Sequence, residues 1–117
     1  MSENVYDYAY ELERALRESD QFVKLKELYA DVNNDESSKR MFDNFRALQL
    51  KLQEKQMTGQ NITEEEVANA QKSAALIEQD PKISQLLQAE QNMSMTINEL
   101  NKIIMNPLAE LYRNEEQ

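Results

Sequence analysis

"MSMTINELNKIIMNPLAEL", residues 93–111, decides the fold. Met93, Ile97, Leu100 and Ile104 recur at spacings of four, three and four, the repeat of one helix face. With Ile83 as the first seam position, the stripe extends backwards through Leu86, and Glu90 interrupts it. A carboxylate in such a seam needs a partner or water. The simpler reading leaves Glu90 wet at the seam's edge; the sharper one pairs it with Lys or Arg from another helix. Met95 and Met105 lie off the stripe, where a solvated helix would carry charge. The seam therefore reads either as an intramolecular bundle stripe or as a surface that meets a second copy.

Working outward, "QDPKI" opens this helix: Asp80 caps it, and Pro81 takes the first helical position, where its missing N–H costs little. Asn106-Pro107 is expected to end or kink it, with Leu108, Leu111 and Tyr112 in a short last turn and "RNEEQ" fraying. Upstream, Thr63 with Glu66 matches a capping box, and Val67, Ala70, Ala74 and Ile77 give the next helix its buried face. Gly59, the sole glycine, is the expected left-handed stop of a long helix that starts near Asp35 or Glu36. On that helix Met41, Phe45, Leu48 and Leu52 share a face, while Phe42, Leu50 and Met57 fall outside it. Two shorter helices come first, Val5 to Glu18 capped by Asn4, and one capped by Asp20 with Phe22, Leu25, Tyr29 and Val32 on one face. Tyr6, Tyr8 and Tyr10 alternate through the first helix and cannot share a face, so at least one is exposed.

The sequence thus predicts one all-α domain over residues 1–117. It is a bundle of about five helices, with two long ones paired as an antiparallel hairpin, and oligomeric. The chain length is enough for a core without staples. A mean hydropathy of -0.81 makes that core thin.

Composition excludes much chemistry. There is no Cys, hence no disulfide and no thiolate metal site, and no His, the commonest general base and metal ligand. "TEEE" at residues 63–66 is a helix start, and one glycine cannot build a phosphate loop. We expect no enzyme, no cofactor and no metal. Net charge is -9, with acids in excess in every third of the chain and no basic block, so direct nucleic-acid or anionic-membrane binding is not expected. Nothing approaches a signal peptide or a membrane span, and the cytoplasm is the natural reading.

The candidate interaction surface is assembled from Phe42, Arg46, Gln49, Leu50 and Met57 on the first long helix and Met93, Met95, Ile97 and Met105 on the second. Aromatic, Arg and Met side chains are favoured interface anchors. Phe42 is balanced between core and interface, whereas Phe45 reads as core.

In order and spacing, "KRMFDNFRALQLKLQEKQMTG", "IT-EEV" and "AEQNMSMTINELNKIIMNPLAELY" resemble the YheA/YmcA-like family of small bacterial proteins, over nearly the whole chain. That resemblance implies an all-helical, self-associating cytosolic protein with no defined activity and no catalytic residues. The relatives YlbF and YmcA act in a complex with a third protein, on competence, sporulation and biofilm formation, through an RNA-degrading endonuclease. Their iron–sulfur binding uses cysteines, which this chain lacks. The leading functional expectation is a homo-oligomeric adaptor or regulatory module that meets itself and another protein. The alternative is an RNA-associated accessory factor.

Overall fold

The computed structural model describes residues 4–115. They form five helices: α1 (Val5–Glu18), α2 (Asp20–Asn33), α3 (Glu36–Thr58), α4 (Glu64–Gln79) and α5 (Pro81–Glu115). The domain is all-α, and no strand occurs among the described residues.

Local chemistry sets most boundaries. Asn4 accepts the Tyr6 N–H, and Asp35 accepts those of Ser37 and Ser38, each supplying a partner the first helical turn lacks. Gly59 closes α3 at φ 73, a left-handed turn that costs glycine nothing. Thr63 and Glu66 form the full capping box. Asp80, extended as a residue before proline must be, accepts the N–H groups of Lys82 and Ile83.

Two boundaries depart from the sequence reading. Ser19, not Asp20, caps α2. Its hydroxyl accepts the Phe22 N–H at 3.2 Å and donates to the Leu16 carbonyl at 2.6 Å, so one side chain serves two helix ends, as a carboxylate cannot. Asp20 instead becomes the first helical residue, where its charge suits the helix dipole. The second departure is at Pro107, which lies inside α5. Its ring removes the bond to the Ile103 carbonyl. Ile103 and all neighbours from Asn101 to Arg113 are exposed, so water can serve that carbonyl and the helix continues. At 35 residues α5 is about 52 Å long, close to the molecule's longest dimension of 56 Å.

The core is one small cluster of Leu28, Val32, Phe42, Ile77, Ile83 and Leu86, flanked by Leu25, Tyr29, Met41, Phe45, Leu87 and Ala89. Two antiparallel pairs build the fold. α3 and α4 form the hairpin, with Lys55 beside Glu66 near the turn and Ser38 bonded to Asp80 at the far end. α2 lies along α5, its Tyr29 at Glu90 and its Gln21 at Thr96. The two long helices run in the same sense, not as the expected hairpin: Asp35 meets Lys82 at their starts, and Arg46 meets Glu90 further along. Each long helix packs chiefly on a shorter one, α3 on its neighbour α4 and α5 on the distant α2, so neither helix length nor a short connection decides the partner.

Candidate interaction surface

No helix among the described residues is long and apolar enough to cross a membrane. Among the same residues, no group of three His, Cys, Asp or Glu side chains is placed to hold a metal ion. What the fold does present is a polar clamp at its centre and two uncovered apolar regions.

The clamp joins three helices. Glu90 Oε2 on α5 accepts the Tyr29 hydroxyl of α2 at 2.5 Å and pairs with the Arg46 guanidinium of α3. Arg46 also donates to the Tyr29 hydroxyl at 3.1 Å and lies 4.7 Å over the Phe42 ring. Tyr29 meets that ring edge-on, with centroids 6.2 Å apart. Burial, with the Glu90 hydrogen bond second, pushes the Tyr29 hydroxyl above its usual pKa. Glu90 is therefore not a wet seam residue. It has a tyrosine and an arginine as partners, and its side chain keeps 24% of its exposure.

A second lock ties the starts of α3 and α5. Ser38 donates to Asp80 at 2.6 Å, and Lys82 pairs with Asp35 at 3.0 Å. Backbone N–H donation from Ser38, then the Lys82 ammonium, hold the Asp35 carboxyl below the ordinary range; Lys82 is raised in return. A third lock lies beyond Gly59, where Glu66 accepts from Lys55 at 2.5 Å and from the Thr63 N–H and hydroxyl. The Lys55 ammonium first, then the Thr63 backbone, lower the Glu66 carboxyl to about 2.

The predicted surface residues divide three ways. Phe42 and Met93 are buried within the protomer and belong to its packing, which corrects their assignment to an open surface. Arg46 is half-buried in the clamp. Gln49, Leu50 and Met57 are exposed on the outer half of α3, and Met95, Ile97 and Met105 on α5. The structure adds Ile104, which the sequence reading assigned to a buried stripe, Leu108, Leu111 and Tyr112, which it assigned to a last turn, and Ile103, which it left unassigned: all are exposed on the distal half of α5. The stripe of the opening stretch is thus covered at Met93, half-covered at Leu100, and open at Ile97 and at Ile104, which is 60% exposed. Nor does α1 bury any residue; its backbone approaches α2 alone, and Val5, Tyr6, Tyr8 and Tyr10 are exposed. Tyr29 is the clamp residue that sequence reasoning missed. Its phase on α2 says core, and only the facing Arg46 and Glu90 give its hydroxyl a task.

Comparison with known proteins places this architecture. The chain is 63% identical to a UPF0342 protein of Bacillus pumilus over 117 residues, covering 100% of this chain and 99% of that one. It is 64% identical to the UPF0342 protein YheA of Bacillus subtilis over 112 residues, covering 96% of each. Among solved structures, a protein of unknown function (DUF964) from Bacillus stearothermophilus matches with a TM-score of 0.87 and 47% identity, over 95% of this chain and 97% of that one. The structure of yheA from Bacillus subtilis matches with a TM-score of 0.74 and 55% identity, over 94% of this chain and all of that one. Residues 5–109 match the family described as "Control of competence regulator ComK, YlbF/YmcA", and at this identity and coverage the chain belongs to that YlbF/YmcA family.

Proposed function

We propose that this protein is a non-enzymatic, cytoplasmic, self-associating helical module that acts in regulation through protein contacts. One observation carries the reading: on a helix face patterned for burial, Ile97 and Ile104 are exposed and Leu100 between them is only half-buried. Contiguous apolar surface of that kind marks association. The outer half of α3, with Gln49, Leu50 and Met57, is left for a different protein. The family description, which ties its members to control of a competence regulator, fits a protein whose work is contact, and no relative named above is assigned a reaction.

An RNA-accessory role has no such observation in its favour. Arg46 and Lys55, two of the bases on α3, are each engaged by a carboxylate. Static light scattering behind size exclusion, over a dilution series, tests the main reading. Twice the 13.7 kDa chain mass or more is expected. A single 13.7 kDa species at micromolar concentration would overturn self-association.

A further inference from the structure

The protomer exposes too much surface for its mass. Its accessible area is 9729 Å², whereas a compact 13.7 kDa chain exposes about 6,600 Å². The radius of gyration is 19.5 Å, against about 13 Å for a compact domain of this length. The excess area is about 3,100 Å² per chain, well beyond the roughly 1,000 Å² per partner that a stable homodimer buries.

Two elements account for where that excess lies. α1 is an amphipathic helix with no buried residue, about 21 Å long. The part of α5 beyond Ile97 spans about 27 Å, and from Asn101 to Arg113 every residue is exposed. The backbones of α1 and α5 do not approach each other, and between the two helices Leu16, Phe22, Met93 and Ile97, with Glu13 and Arg17, line a mainly apolar cleft of about 220 Å³. Ala9 and Leu12 continue the Leu16 face along α1, and Ile104 continues the Ile97 face along α5.

Charge narrows the occupant. Each chain carries -9, so two copies repel on average. Residues 98–113 hold two acids, Glu99 and Glu110, and two bases, Lys102 and Arg113. That segment is neutral, apolar and matched in length to α1. We propose that the distal half of α5 from a second copy lies between α1 and α5 of the first. By two-fold symmetry the exchange is reciprocal, and two α1 helices with two distal α5 segments close a four-helix bundle. A pairing of the two distal α5 segments alone would leave the apolar face of α1 in water. This inference rests on the self-association reading above and names its surface.

The native chain has no cysteine, so single thiols report contacts cleanly. Full-length Ala9→Cys and Ile104→Cys chains, carrying different tags, are mixed and treated with a short bismaleimide. A mixed-tag cross-link is expected, and none when Met57→Cys replaces Ala9→Cys. In parallel, Ile104→Asp/Leu108→Asp is expected to halve the light-scattering mass from that of the wild-type dimer, while Leu50→Asp/Met57→Asp leaves it unchanged. A wild-type monomer overturns both readings. An oligomer that links only through Met57→Cys, that links Ile104→Cys to itself and not to Ala9→Cys, or that survives Ile104→Asp/Leu108→Asp overturns this inference alone.

Discussion

The hydroxyl of Tyr29 on α2 donates to Glu90 on α5 at 2.5 Å, and Arg46 of α3 reaches the same carboxylate oxygen. Three helices therefore share one acceptor. Tyr29→Phe removes two hydrogen bonds, the one to Glu90 and the one from Arg46, leaves the ion pair, and should cost about 1–2 kcal/mol. Glu90→Ala leaves Arg46 without its carboxylate and should cost about 1–2 kcal/mol, a figure held down by the partial exposure of both side chains. Urea denaturation of the two single variants and the double variant checks this. The double variant should be less destabilised than the sum of the singles, because both remove parts of one network.

Acid should loosen the α3–α4 hairpin. The Glu66 carboxyl lies at about 2 in the folded protein against 4.5 unfolded. A depressed carboxylate contributes stability that is fully present above 4.5 and is lost as pH falls towards 2. Melting temperatures of wild type and Glu66→Gln should therefore differ most above pH 4.5 and converge as pH falls towards 2. A gap that stays constant over that range would contradict the assignment.

Gly59 tests the turn that makes that hairpin. At φ 73 with nothing within 4 Å of an added Cβ, Gly59→Ala meets no clash and feels only backbone strain. The expected loss is about 1 kcal/mol, read as a lower urea midpoint with an unchanged slope.

Pro107 makes the opposite prediction. It sits within a helix whose register does not need it, and proline is about 3 kcal/mol worse than alanine in a helix interior. Pro107→Ala should raise helical ellipticity and the melting temperature. A fall in either would mean that the proline stabilises the fold or the proposed assembly in a way its place in the helix does not disclose.

These elements show what the sequence could disclose. Helix ends governed by local chemistry were legible: the Asn4 and Asp35 caps, Gly59, the Thr63–Glu66 box and the Asp80-Pro81 start each depend on atoms a few residues apart. The choice of Ser19 over Asp20 depends on a backward bond to Leu16, and the persistence of α5 through Pro107 on solvent access there. Neither shows in a cap preference. The Glu90 partners come from α2 and α3, 61 and 44 residues away along the chain, and no periodicity along α5 points to them. Phe42 lies outside the Met41–Leu52 stripe yet is buried, because α3 has α2 on one side and α4 on another and so packs on more than one face. On the candidate surface, spacing identified the apolar stripe of α5 but not where its own chain stops covering it. Coverage thins past the first turn of α2, where Gln21 meets Thr96, and ends after the half-buried Leu100.

The continuity of α5 also sets a length scale. Its first turns are locked to α3 by Ser38, Asp80, Asp35 and Lys82, and its last turns stand clear of the core. A single helix joining them acts as a strut of about 52 Å. In the proposed assembly it would hold a second copy gripping its far end at a fixed span from the α3–α4 hairpin, as a ruler spaces two marks.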